Sequence, residues 1–306
     1  MSRILITGGA GFIGSNLADK LIAKKHRVVV IDNLSTGKKK FVNSKAKLYK
    51  IDITSPKIAD VFTKAKPEIV FHLAAQKSVP FSIRYPLADS KTNVLGSINV
   101  IENSLKHRAK KFIFTSTGGA IYGQTKLIPS PETTPENPDS PYGLNKLSID
   151  NYLRNYYAKV RKLNFISLRL ANVYGPRQDP AGEAGVIAIF ISNLLKNKQC
   201  YIRGTGGQTR DFVFVDDVVD SCLKSINQGQ GIYNIGTAKE ISINKLFQII
   251  KNLIPGKEAE HQSSIFGEVY RSVLKSNKAK SELGWIAKVD LEAGVKKTID
   301  YFLSLI

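Results

Sequence analysis

The apolar run Ile4–Thr7 passes straight into TGGAGFIGSN (Thr7–Asn16), and Ile13, Leu17, Leu21 and Ile22 then recur at helical spacing. A strand that turns through glycines directly into an amphipathic helix leaves few choices. The helix must fold back over its strand, and the next strand then lies parallel through a right-handed crossover. The pattern repeats. Strands are predicted at Val28–Asp32, Leu48–Ile51, Ile69–His72, Phe112–Thr115 and Phe165–Leu170, and Leu144, Leu147, Leu153, Tyr156 and Val160 mark another helix. Alternation of this kind predicts an α/β fold with a Rossmann-type doubly wound parallel sheet.

After Asn172 the pattern loosens. Helical pieces (Gly185–Leu195, Asp217–Asn227, Ile243–Leu253, Leu291–Leu305) mix with short strands at Tyr201–Ile202, Phe212–Val215 and Ile232–Ile235. Residues 1–171 are expected to form a dinucleotide-binding domain to which 212–236 return. Residues 172–211 and 237–306 are expected to form a smaller mixed α/β C-terminal lobe that binds substrate. The Pro-rich stretch Pro129–Pro141 must be a loop, and it is placed to act as an active-site rim or lid.

In the first turn, Gly8 permits the bend, Gly11 lets a pyrophosphate approach the backbone and Gly14 lets helix pack on strand. The helix N-terminus then offers free N–H groups to the phosphates. Asp32 ends the second strand, where a carboxylate accepts both ribose hydroxyls and repels a 2′-phosphate. The expected cofactor is therefore NAD. STGKK (Ser35–Lys39) has the look of a nucleotide triphosphate loop but lacks its leading glycine, since Asp32 stands there.

SPYGLNK (Ser140–Lys146) sets Tyr142 and Lys146 four residues apart on one helix face. Tyrosine, with a pKa near ~10, is a poor base at neutral pH. A nearby ammonium and the nicotinamide's charge would both favour phenolate. Such a tyrosine takes a proton from a sugar hydroxyl while hydride leaves the same carbon for NAD.

Taken in order, TGGAGFIG, VIDNLSTG (Val30–Gly37), ID (Ile51–Asp52), HLAAQKSV (His72–Val79), STGGAIYG (Ser116–Gly123), YGLNK, RLANVYGPRQ (Arg169–Gln178), QTRDFVFVDDV (Gln208–Val218) and ELGW (Glu282–Trp285) span essentially the whole chain. The sequence resembles the extended short-chain dehydrogenase/reductase family, in its branch of NAD-dependent nucleotide-sugar epimerases and dehydratases. The resemblance implies a cofactor site of Gly8, Gly11, Phe12, Ile13, Gly14, Asp32 and Asn33, with Asp52 and Ile53 flanking the adenine. Leu73, Ala74 and Ala75 would line the trough, and Lys77 would reach the phosphates or ribose. On the substrate side it implies Ser78, Gln208, Asn172 on the diphosphate, Val186 and Ile202 beside a uracil, and Arg210 neutralising phosphate. Arg203 stands where an aromatic often covers the base, so its guanidinium would stack there. IFGEVYRS (Ile265–Ser272) lacks an arginine common among relatives, so Arg271 would substitute, with Glu268 reaching the ribose. Ser272 falls where the hexose pocket is narrowed in relatives, and its small side chain leaves room for an N-acetyl group.

The family's catalytic hydroxyl sits four residues before the tyrosine of the Tyr-Gly pair, which here is Gly118. The role must move to Thr117 or, second, to Ser116. Family dehydratases carry an Asp-Glu pair where this chain has Gly119 and Ala120, so nothing here would eliminate water from a 4-keto sugar. The expectation is NAD-dependent 4-epimerisation of a UDP-hexose, with Tyr142 as acid and base, Lys146 tuning it and Thr117 assisting. A UDP-uronate 4-epimerase is the enzymatic alternative. A non-catalytic protein that binds RNA or a partner is the other, although Tyr142 and Lys146 speak against it.

The formal charge is +20 over 306 residues, with basic clusters at Lys24–Arg27, Lys38–Lys40 and Lys106–Lys111. Because the clusters are interrupted, they are read as solvated side chains, and no nucleic-acid partner is expected. Two cysteines, Cys200 and Cys222, make neither a disulfide framework nor a metal site. No apolar stretch is long enough for a membrane span, and no leader is evident, so a cytoplasmic protein is expected. The resemblance implies a homodimer through the helices containing Asn93–Leu105 and Leu144–Val160.

Overall fold

A computed structural model describes residues 1–181, 185–263 and 269–306. Its centre is a seven-stranded parallel sheet. Six strands are β1 (Arg3–Thr7), β2 (Arg27–Asp32), β3 (Lys47–Lys50), β4 (Ile69–His72), β5 (Lys111–Thr117) and β6 (Phe165–Leu170), and the seventh is Gly231–Ile235. Across the sheet the order is Gly231–Ile235, β6, β5, β4, β1, β2, β3. The chain winds outward from β1 to β3, then restarts at β4 and winds the other way, so the strand order reverses between β1 and β4. In open α/β sheets the crevice beyond that switch point is where ligands bind.

Every residue from Ile4 to Thr7 is buried, as expected for a parallel strand with helices on both faces. Side chains alternate: Ile4 and Ile6 join one core, and Leu5 joins the other with Ile31, Val70, Phe112 and Phe114. The first core continues without a break into the C-terminal part through Phe190, Phe247 and Trp285. Trp285 is fully buried and donates its indole N–H to the carbonyl of Asp217 at 2.8 Å. Sheet and lobe therefore share one hydrophobic interior.

Strand Gly231–Ile235 pairs with β6 in the main sheet and helix Val215–Lys224 packs on helix Phe12–Ala23, while Phe212–Phe214 pairs with Asn172–Tyr174 in a separate two-stranded ribbon. Thr209–Arg210 sits between Ile241–Ser242 and Arg271–Ser272, and Tyr201–Arg203 pairs with Glu260–Gln262. The Pro-rich loop is fastened rather than free. Ser130 N–H donates to Val273 and Asn137 N–H to Ile121, both at 2.9 Å, while Glu136 pairs with Arg154 and the buried Arg169. Those anchors tie the loop to the body of the fold.

Candidate active site

Ser140 caps helix Pro141–Asn151 by accepting the Gly143 N–H at 3.2 Å, and Pro141 begins it without a donor to satisfy. One turn on, Tyr142 and Lys146 share a face. The Lys146 ammonium donates to the carbonyl of Thr115 at 2.9 Å and lies 4.5 Å from the centre of the Phe114 ring. Burial pushes it down to about 8, against the opposing pull of Asp150 and Asp89. Tyr142 is pushed up to about 12, chiefly by burial and further by Asp89, although a hydrogen bond from Thr117 favours the phenolate. Burial thus outweighs the groups that favour phenolate in the protein alone.

Strand alternation separates the two candidate hydroxyls. Thr117 faces Tyr142, whereas Ser116 is buried on the other side and donates to Asp150 at 3.2 Å. Asp150 also receives Ser167 and the Arg169 guanidinium, at 2.5 and 2.8 Å. Ser116 is therefore removed from the reacting side. Gly118 has no hydroxyl, and the space a Cβ would take there is filled by the Leu274 side chain.

Gly119 opens toward the space these groups surround. A Cβ at that position would meet Asn172 Oδ1 and Ser272 Oγ at 3.8 Å and Thr117 Oγ1 at 3.9 Å, which are ordinary contacts. Three site residues predicted from distant parts of the chain thus meet around one glycine. Arg210 and Ser272 are register partners on neighbouring strands, so they share a face, and Arg271 falls on the opposite one. There Arg271 grips Glu240 through two bonds of 2.6 and 2.8 Å, and that pair holds the Glu240 carboxyl down to about 2. Arg271, expected to stand in for the missing arginine, has Glu240 as its partner in this structure. Ile202 is the one buried residue of Tyr201–Arg203 and packs into the core. Gln208 is buried and donates to the Arg203 carbonyl at 2.9 Å, which fastens the strand carrying the exposed Arg203. Ser78 accepts the Phe81 N–H at 3.0 Å as a helix cap, and Val186 opens helix Val186–Leu195. Glu268 lies outside the described residues.

At the switch point, Gly8 has φ +73°, and a Cβ there would come within 2.7 Å of the Ala74 N. A Cβ on Gly14 would strike the Gly8 carbonyl. Phe12 and Ile13 form the helix's first turn behind this cradle. Asp32 accepts Ala10 N–H on one oxygen at 2.9 Å and Leu34 N–H on the other at 2.8 Å, which fixes the carboxylate and leaves each oxygen a further lone pair. Asn33 donates to Asp52 at 2.7 Å, and Thr54 donates twice to its other oxygen. Burial opposes the Asp52 charge, but these donors outweigh it and hold the carboxyl below its usual value. Ile53 is buried, with its side chain packed against Gly96. Leu73, Ala74 and Ala75 follow β4 along the trough, and Lys77 is exposed at its end. A close-packed glycine cradle and a fixed carboxylate at the end of β2 fit a dinucleotide. His72 plays no part: it bridges Thr7 at 2.6 Å and Ser97 at 2.8 Å, and burial pushes it down to about 3.

Sequence reasoning missed Asp89. This buried carboxylate receives the side-chain amides of Gln76, Asn93 and Asn145, and so ties the loop after β4 to the catalytic helix. Its only early signal was a set of polar residues on otherwise apolar helix faces.

A glycine turn at the switch point of a doubly wound sheet, with a Tyr–Lys pair of half-buried tyrosine and buried lysine beyond the neighbouring strand, defines a short-chain dehydrogenase type of NAD-dependent enzyme. The chain belongs to the NAD dependent epimerase/dehydratase family, whose sequence profile matches residues 4–236. It is 45% identical over 299 residues to the putative UDP-glucose 4-epimerase of Methanocaldococcus jannaschii, covering 97% of each chain. The crystal structure of UDP-glucose 4-epimerase from Thermotoga maritima with UDP-glucose superposes with a TM-score of 0.97 at 47% identity, covering 99% of both chains. The Thermus thermophilus UDP-glucose 4-epimerase complex with NAD gives 0.95 at 37% identity, covering 99% of this chain and 100% of that one.

Proposed function

We propose that this chain interconverts the C4 epimers of a UDP-hexose, UDP-glucose and UDP-galactose foremost, through a 4-keto sugar. Gly8, Gly11, Gly14, Asp32 and Asp52 would hold NAD. When bound, NAD supplies the chemistry the chain lacks, taking hydride from C4, returning it, and adding a positive charge that favours phenolate. Tyr142 accepts the proton of the C4 hydroxyl, and Thr117 shares that proton and holds the oxygen in line. Asn172 and Arg210 hold the diphosphate while the keto sugar turns over. Tyr142 then returns the proton to the opposite epimer. The observation that carries this reading is the convergence of Thr117, Asn172 and Ser272 around Gly119, each within 3.9 Å of where its Cβ would stand, and neither Gly119 nor Ala120 can move a proton.

Proton NMR of the protein with UDP-galactose and NAD tests it. UDP-glucose rising to a fixed ratio is the expected result, and unchanged UDP-galactose would reject it, leaving the uronate sugars to be tried. Because Ser272 is small and borders the same space, N-acetylated UDP-hexoses are also expected to react. Ser272→Tyr should then lose turnover of the N-acetyl sugar selectively. Equal rates for parent and variant would sink that part.

The proposal extends to a cytoplasmic homodimer with a sheet domain and a substrate lobe divided as the sequence suggests. Both cysteines are free and buried, and no helix among the described residues is long and apolar enough to cross a membrane. Leu95, Leu144, Tyr152 and Val160 stand exposed on the two helix stretches named for the contact.

A further inference from the structure

The fold gathers basic clusters that lie far apart in the sequence onto one edge, at the amino ends of the strands. Four successive helix-to-strand turns, leading into β2, β4, β5 and β6, place Lys25, Lys66, Arg108 and Lys162 in the left-handed region, with φ of 65°, 42°, 55° and 55°. Glycine is the usual residue at this helix-ending position, because a Cβ there crowds the backbone. The hydrogen bonds follow the same logic: His26 N–H reaches back to Leu21, Ala109 to Ser104 and Leu163 to Tyr157. The fifth such turn, leading into Gly231–Ile235, has Gly229 at φ +73° and no lysine or arginine between residues 225 and 230. At four turns of five, then, a cation occupies a position that local geometry would give to glycine.

Helix dipoles do not explain this choice. A cation anywhere in the last turn answers the dipole, and the position just past it need not be charged. Internal pairing does not explain it either. Among the described residues, none of Lys25, Lys66, Arg108 and Lys162 forms a salt bridge, and all four are exposed. The sheet order sets their spacing. Lys162, Arg108, Lys66, Arg3 and Lys25 precede or begin five adjacent strands, so at about 4.8 Å per strand the row is ~19 Å long. That is roughly five phosphate steps of a duplex strand at about 3.4 Å each. A groove of about 440 Å³ lies at the middle of the row, lined by Arg3, Lys66, Lys106, His107, Arg108 and Lys110, with Glu68 its one acid. It exposes no large apolar side chain that could anchor in lipid.

We propose that this edge, opposite the catalytic crevice, binds the phosphodiester backbone of nucleic acid without reading its sequence. Cations displaced into this row meet phosphates at Coulombic distance and release condensed counterions, so binding should weaken steeply with salt. Fluorescence anisotropy with a labelled 20-base-pair duplex, as DNA and as RNA, tests it from 50 to 300 mM salt. The decisive variant carries Lys25→Gly, Lys66→Gly, Arg108→Gly and Lys162→Gly, and its control carries Lys126→Gln, Lys245→Gln, Lys280→Gln and Lys296→Gln. Both lose the same charge. The glycine variant should bind at least ~30-fold more weakly, with its log–log salt slope flattened by about 3 to 4, while the control stays within about 3-fold of the parent. Its Tm should hold or rise, because glycine suits the left-handed turns, and its UDP-galactose turnover should not change. Equal affinity for both duplexes, or preference for one, supports the proposal and identifies the source. Equal loss in glycine variant and control, or no binding by the parent at 50 mM salt, overturns it. A lowered Tm overturns the claim that the cations stand where glycine fits better. Binding to phosphatidylserine vesicles but not to either duplex overturns nucleic acid as the partner.

Discussion

The two ends of the central sheet are built on opposite plans. At the carboxyl ends of the strands, the charged groups around the Tyr–Lys pair and the glycine turn are buried and answered: Lys146 by a carbonyl, Asp89 by three amides, Asp32 by two backbone N–H groups. At the amino ends they are many, exposed and largely unanswered, and Glu68 serves both Arg3 and Lys110. A group buried without partners is costly, so a site that must be dry and fixed is held by neutral donors and backbone. A surface that meets a solvated partner has no such need. The contrast teaches that a chain's net charge says little about its catalytic crevice.

The largest effect expected from breaking this contrast is at the carboxyl end. Tyr142→Phe should lower kcat by roughly 10³-fold, as general acid–base catalysis commonly contributes, with Tm within a few degrees of the parent. Steady-state assay beside a melting curve checks both. Thr117→Val should follow at about 30-fold, and a fall no larger than that of Ser116→Ala would remove Thr117 from the proton path.

A pH experiment comes next. His72 is held down to about 3 in the fold, against an ordinary value of 6.5. The unfolded chain therefore takes the proton first, and the stability that neutral His72 contributes is complete above pH 6.5 and lost as pH falls toward 3. Between pH 6.5 and 5 the loss should be about 2 kcal/mol at ~1.4 kcal/mol per unit. Urea unfolding at the two pH values measures it, and His72→Gln should flatten that interval. Ser116→Ala should cost about 1 kcal/mol of stability through its lost bond to Asp150 while leaving turnover within a few fold. The smallest effect belongs to the other end: Lys66→Gly alone should leave kcat and KM unchanged.

Much of this was legible in the sequence, for identifiable reasons. Strand Ile69–His72 and helix Ile243–Leu253 were placed to the residue, because period and flanking residues agreed. Tyr142 and Lys146 were found because an i, i+4 pair is a local property of a helix. The surroundings of Arg271 and Ile202 were not legible, because the face a strand residue presents depends on its partner's register, which a single sequence does not record. The tyrosine's upward shift was missed for a related cause, since burial is a property of the whole interior.

By itself the sequence determined the parallel α/β alternation, the glycine cradle with its acidic partner, the Tyr–Lys pair and the lack of acids at Gly119 and Ala120. All of these rest on neighbours within a turn or a strand. Only the tertiary structure decided which hydroxyl faces the tyrosine, which arginine shares a face with Ser272, and that Asp89 clamps the catalytic helix. It alone also drew Lys25, Lys66, Arg108 and Lys162 into one row. The physical reason is common to all four: a parallel sheet brings its turns together across spans of the chain that no local pattern connects.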